Sequence, residues 1–163
     1  MDDFNILLNN LLDEAKKLHQ KNELSKIIPF DYYEPGMMEH LDKYEGVYDE
    51  ASGRLLLRFE SAGTRYEGRT EQIESINVGD IIRVVRDKEN AFNPNNFSLL
   101  TETSKDVGCI PAALCNVMAP LFDIDNLIFE KASVSFAEPI SARSRYAKKG
   151  VLFVEVELKI KVK

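Results

Sequence analysis

The residues best suited to chemistry in this chain are flat rings beside a cation. Arg65-Tyr66 lies within Ala62-Gly63-Thr64-Arg65-Tyr66-Glu67-Gly68, and a second ring, Phe92, follows in Asn90-Ala91-Phe92-Asn93-Pro94-Asn95-Asn96. A guanidinium neutralises a phosphate. An exposed ring stacks on any nucleobase, for about 1–3 kcal/mol per base. Two rings and one arginine would hold a dinucleotide end at roughly micromolar affinity. The competing assignment places Tyr66 and Phe92 in the core and pairs Arg65 with a neighbour such as Glu67. Further along, Arg143, Arg145, Lys148 and Lys149 surround Tyr146. They either extend a phosphate track or form a solvated loop between two strands.

No catalytic constellation accompanies these residues. The histidines, His19 and His40, belong to no His/Cys set with zinc spacing, so no metal site is expected. Cys109 and Cys115 are too few for a disulfide scaffold, and Cys115 reads as a helical core position. There is no Gly-x-x-x-x-Gly-Lys phosphate loop and no Gly-x-Ser-x-Gly elbow. The expectation is a protein without catalysis of its own and without a cofactor. A nuclease or hydrolase is the rival, and it lacks a visible nucleophile or metal.

The elements that must position the rings are mostly strands. Leu55, Leu57 and Phe59 alternate with Leu56, Arg58 and Glu60, the period of a half-buried strand. Ala62-Gly63 permits a bend, with Thr64-Arg65-Tyr66 continuing the extended chain. Gly79-Asp80 reads as a turn before the strand Ile81–Val85. Asn90–Asn96 reads as a polar loop before short strands at Phe97–Leu100 and Val107–Ile110. Pro111 opens a helix whose end lies near Pro120. Two further strands are predicted at Leu127–Phe136 and Val151–Val162. One helix among several short strands fits a small β-barrel, or a curved and partly open sheet, better than a parallel α/β fold.

The N-terminal third has a different character. Phe4, Leu7, Leu8, Leu11, Leu12, Ala15 and Leu18 recur at helical spacing, which predicts an amphipathic helix over residues 3–20. Its apolar stripe must be covered by the main domain or by a second chain, and a homodimer through it is the alternative. Pro29, Pro35, Gly36 and many acids then read as an irregular linker to residue 53. The net charge of −6 resides here: residues 1–53 hold 5 basic and 12 acidic side chains, against 8 and 8 in 54–105 and 8 and 7 in 106–163. The last two thirds are therefore near neutral and free to carry a local basic patch. No apolar run approaches the roughly 20 residues of a membrane helix. With no basic leader before Met1-Asp2-Asp3, a cytoplasmic location is the expectation.

Three stretches in order carry a resemblance. They are Thr64-Arg65-Tyr66-Glu67-Gly68, then Arg86-Asp87 leading into Asn90-Ala91-Phe92-Asn93-Pro94-Asn95-Asn96-Phe97, then Gly108-Cys109-Ile110-Pro111 ahead of a helix. Together they resemble the HIRAN domain, over about residues 54–125 and onward through the closing strands. The resemblance implies a mainly β fold, an OB-like barrel with one internal helix over residues 54–163, preceded by the acidic N-terminal segment 1–53. It implies recognition of single-stranded DNA, notably a 3′ end, in company with an ATPase or nuclease chain in DNA repair. It places Arg65 near the DNA backbone and Tyr66 on a base. Asn90 falls on the loop asparagine, and Phe92 where the family usually has tyrosine. Asn93 falls on the usual aspartate that accepts a hydrogen bond from the terminal hydroxyl, so a neutral amide stands in for an anionic acceptor. Arg143, Arg145 and Lys148 complete the expected DNA-binding set. The rival function is a non-catalytic, regulatory protein-interaction subunit of a DNA-processing system.

Overall fold

The computed structural model describes residues 6, 7, 10, 13, 14, 17, 45–49 and 51–161. The predicted helix over residues 3–20 lies mostly outside them, as do both histidines. Strand β1 (Glu45–Asp49) pairs antiparallel with β2 (Arg54–Glu60). A short helix, α1 (Arg69–Ile73), leads to β3 (Ile82–Asp87), β4 (Asn96–Thr101) and β5 (Asp106–Cys109). Helix α2 (Ala112–Asp123) follows, then β6 (Leu127–Glu138), a 3-10 turn at Ile140–Ala142, and β7 (Val151–Ile160). Strand β1 falls within the stretch read as linker. The turn Ala51–Gly53 that joins it to β2 is held by Asp49, whose carboxylate accepts from the Ser52 hydroxyl at 2.7 Å.

The strands form two antiparallel sheets, β1-β2-β7-β6 and β3-β4-β5. Of the two expected forms, the curved and partly open sheet is nearer than a closed barrel. The sheets are joined at two isolated bridges, Ala62 with Cys109 and Ile81 with Ser133, and no continuous ladder closes them. The cause is local. Gly63 turns the chain away directly after Ala62 with φ +72°, and Pro111, which has no N–H to donate, starts α2 just past Cys109. On the other side the Val78–Gly79 turn precedes Ile81.

The core fills the space between the sheets and α2. Leu55, Leu57 and Phe59 of β2 face inward, as do Leu152, Val154, Val156 and Leu158 of β7. Phe97 sits edge-on to Phe122 and Phe129, with ring centroids 5.3 Å away in each case. Helix α2 is buried continuously from Leu114 to Leu121, through Pro120. Burial pushes the Cys115 thiol up to about 12, consistent with an inert core position.

Gly108 allows the closest approach between the sheets. Its φ is +125°, and an added Cβ would overlap Ser61 Oγ and come within 2.7 Å of the Ala62 carbonyl oxygen. Ser61 meanwhile donates to the Val107 carbonyl at 2.8 Å. Gly108→Ala should therefore destabilise the domain by about 3 kcal/mol or more, through strain and overpacking together. Urea unfolding measures it; a loss below about 0.5 kcal/mol would mean that this approach is not tight.

Candidate nucleic-acid interface

The first ring-bearing segment is a turn rather than an extension of β2. The Ala62 N–H donates to the Cys109 carbonyl at 2.8 Å, and the return bond is 3.0 Å. After Gly63 the chain folds back, with the Tyr66 N–H on the Gly63 carbonyl at 3.2 Å and the Arg69 N–H on the Tyr66 carbonyl at 3.0 Å. Buried Thr64 anchors this turn by donating to the Gly150 carbonyl at 3.0 Å. Thr70 bonds the Thr64 carbonyl in turn. With Thr64 committed inward, the next two side chains point to water. Tyr66 is 57% exposed, and the Arg65 guanidinium stands 5.2 Å from its ring centroid. Glu67 is not the partner of Arg65; it pairs with Arg69 at 3.1 Å.

The second ring rides on a loop held by amides. Asn90 Oδ1 accepts from the backbone N–H groups of Phe92 and Asn93, each at 3.0 Å. Asn93 Oδ1 accepts from the Asn95 N–H at 2.9 Å, and Asn93 Nδ2 donates to Asn116 Oδ1 at 2.9 Å. Buried Asn95 donates to the same Asn116 oxygen at 3.2 Å. Arg86 closes the base of the loop. Its Nη1 donates to the carbonyls of Pro94 and Asn96, while Nε and Nη2 form a fork with Asp123, both at 3.1 Å. The loop backbone thus bonds inward, and Phe92 is left 87% exposed. Such amide-to-backbone bonds are the reason asparagine suits tight loops.

Both rings line one groove of about 940 Å³, together with Asn90 and Asn93. The assignment of Tyr66 and Phe92 to the core is thereby overturned. The groove is acidic: Glu67, Asp87, Glu89 and Asp106 line it, against one cation, Arg69. Burial opposes the Arg69 charge. The Asp106 hydrogen bonds, with the nearby Cys109, Asp106 and Glu67 charges, outweigh that effect and set its pKa above the usual arginine value. Cys109 also lines the groove. Desolvation raises its thiol pKa, and Arg69 and a hydrogen bond from Asn96 only partly counter it.

The basic residues of the later cluster stand outside this lining. Arg143 pairs with Glu138 at 3.0 Å and donates to the Lys149 carbonyl at 2.9 Å. Lys149 pairs with Glu60 at 3.1 Å. Arg145 lies over Tyr146, 4.9 Å from its centroid, and Lys148 is exposed. Among the described residues no group of three His, Cys, Asp or Glu side chains could hold a metal ion. No helix among them is long and apolar enough to cross a membrane.

The sequence reading missed most of the residues that carry this geometry: Arg69 with Asp106, the partner Asp123 of Arg86, and Asn116. Arg86 stood in the Arg86-Asp87 motif without a structural role, and Asn116 left a signal as the one amide within the apolar helical run Ala112–Phe122.

The HIRAN domain family model matches residues 55–153. This chain belongs to the HIRAN domain family. Among solved structures it is similar to the HIRAN domain of human HLTF in a crystal structure, at 19% identity over 64% of this chain and 76% of that one, with a TM-score of 0.45. It is similar also to the HLTF HIRAN domain solved by NMR in its DNA-bound conformation, at 15% identity over 76% and 84%, again with a TM-score of 0.45. No curated protein matches the chain.

The amide scaffold makes a prediction of its own. Asn90→Ala removes the acceptor of two backbone N–H groups and should cost about 1–2 kcal/mol. Hydrogen exchange should speed up at Phe92 and Asn93 while β2 and β7 keep their protection. Unchanged exchange at those two amides would contradict the scaffold role.

Proposed function

We propose that this groove binds the end of a single-stranded DNA, with Tyr66 and Phe92 stacking on nucleobases and Arg65 meeting the backbone phosphate. The observation that carries the reading is the meeting of two exposed rings on one groove in a member of this family. Exposed rings of this size are costly to leave in water without a partner, and a base face is the surface that covers them best. The DNA-bound conformation of the HLTF HIRAN domain supports the same reading.

The charge of the groove refines it. Ionised carboxylates only accept hydrogen bonds, so the hollow suits amino groups of bases and a hydroxyl end, and it repels a phosphate. A strand would enter by its terminal nucleoside and leave its phosphates outside, near Arg65. Asn93 Oδ1 already accepts one N–H and keeps one lone pair for a terminal hydroxyl. Asp87 supplies the anionic acceptor that Asn93 lacks. Its Oδ2 takes the amides of Asn90 and Asn96, and its Oδ1 has no protein donor among the described residues. On this reading the domain recognises a 3′-hydroxyl end and performs no chemistry on it.

Fluorescence anisotropy with a short single-stranded oligonucleotide tests the reading. Tyr66→Ala and Phe92→Ala should each weaken binding by about 1–3 kcal/mol. A 3′-phosphate should weaken it too, and Asp87→Asn should narrow the gap between hydroxyl and phosphate ends. Arg65→Ala should lower the salt slope by about 0.7 if it meets one phosphate. No binding at high micromolar protein, or full affinity in both ring variants, would remove the proposal.

A further inference from the structure

The pairing of arginine and tyrosine occurs twice on this surface. Tyr146 is 74% exposed, and the Arg145 guanidinium lies 4.9 Å from its ring centroid, against 5.2 Å for Arg65 and Tyr66. Arg145 Nη2 also donates to the Tyr146 hydroxyl at 2.7 Å, which fixes the guanidinium against the ring. A cation thus lies against the ring, and most of the residue stays open to a partner.

The two pairs are stitched together. Thr64, the residue before Arg65, donates to the Gly150 carbonyl at 3.0 Å, and the Gly150 N–H donates to Thr70 Oγ1 at 3.3 Å. Gly150 closes the loop that carries Tyr146. That loop is held in shape: Arg143 spans it to the Lys149 carbonyl, and Lys149 pairs with Glu60. Its structural cations are therefore Arg143 and Lys149. Arg145 and Lys148, like Arg65, have no carboxylate partner among the described residues. They are the cations available to a ligand.

We propose that Arg145–Tyr146 is a second nucleobase platform, and that a single strand whose end sits in the groove runs past Arg65 to stack on Tyr146, with Lys148 meeting its phosphates. This rests on the reading of the groove given above and extends it from an end to a longer strand. Reach permits it. Tyr66 is two residues from Thr64, and Tyr146 four from Gly150, so at about 3.3–3.6 Å per residue the two rings lie within roughly 30 Å along the surface. A stacked strand rises about 3.4 Å per nucleotide and covers that span in about nine nucleotides, and an extended strand needs fewer. The alternation of bare cations and a ring, with the neighbouring Glu60 and Glu138 already paired to Lys149 and Arg143, suits a polyanion carrying flat bases rather than an apolar protein surface. A second contact on one strand also acts at high effective concentration, so a modest platform raises affinity measurably.

The test compares two single-stranded oligonucleotides with free 3′-hydroxyls, one of about three nucleotides and one of about ten, by anisotropy on the full chain. Wild type should bind the longer one more tightly. Tyr146→Ala should weaken the longer by at least about fivefold and leave the shorter within about twofold, whereas Tyr66→Ala weakens both. Tyr146→Phe should keep the affinity for the longer strand, because the ring and not the hydroxyl is the platform. Thermal melts of each variant check that the loop change does not unfold the domain. Equal affinity of Tyr146→Ala and wild type for the longer strand overturns the second platform and leaves the groove reading standing. Equal weakening of both lengths by Tyr146→Ala also overturns it, since Tyr146 would then act at the groove itself. Failure of wild type to bind either length overturns both readings.

Discussion

The Arg86 guanidinium is the point where core, loop and helix meet. It takes the Asp123 carboxylate at the end of α2, the carbonyls of Pro94 and Asn96 in the loop, and the face of Phe97 at 5.4 Å. A guanidinium on a side chain only 9% exposed is stable when its donors are matched, and here the matching partners come from three separate elements. The loop cannot move without stranding that charge. The asparagines extend the same logic outward. Asn90, Asn93 and Asn95 turn the polar groups of an otherwise floppy segment toward Asp87 and Asn116, and Phe92 is what remains facing water.

Across the groove, the turn from Gly63 to Arg69 is fixed by an equivalent device. Arg69 holds Asp106 through two bonds, at 3.0 and 3.1 Å, and the Gly63 carbonyl at 3.1 Å. Two half-buried arginines therefore serve as anchors, and Arg65 stands outside, exposed and without a carboxylate partner among the described residues. This division separates cations that build the surface from cations that the surface offers. It also accounts for most of the acid-rich lining: Asp106 and Glu67, which hold Arg69, and Asp87, which takes the loop amides, stand at the wall of the hollow. On the function proposed above, a negatively lined groove with neutral rings would admit a base and a hydroxyl more readily than a phosphate, and the proposed preference for a strand end rests on that order of charge.

The strands were legible because their burial is periodic. Leu55, Leu57 and Phe59 alternate as a half-buried strand must, and β7 alternates along ten residues. Helix α2 was legible through Pro111 and the apolar run behind it. Strand β1, Glu-Gly-Val-Tyr-Asp, was not, since an edge strand with few apolar residues has no period to read. The turn at Thr64 was misread as extended chain because its cause, the Gly150 carbonyl, lies 86 residues away. How fully the strands close was not legible for a similar reason: closure depends on how many bridges form between distant strands, and local pattern does not count them. Tyr66 and Phe92 could be singled out as a candidate site through the order of three short motifs. Whether they were core or surface was not, because an aromatic ring reads alike in either place. Their partners in scaffolding, Asn116, Asp106 and Asp123, are joined to them only by the fold.

The central claim is that Tyr66 and Phe92 hold nucleobases in a shared groove. Aromatic carbon–proton spectra of the ring-labelled protein, recorded while a short single-stranded oligonucleotide with a free 3′-hydroxyl is added, address it directly. The account predicts upfield ring-current shifts at Tyr66 and Phe92, saturating together, with Phe122 and Phe129 of the core unmoved. Shifts confined to other rings, or binding that leaves both of these signals in place, would contradict it.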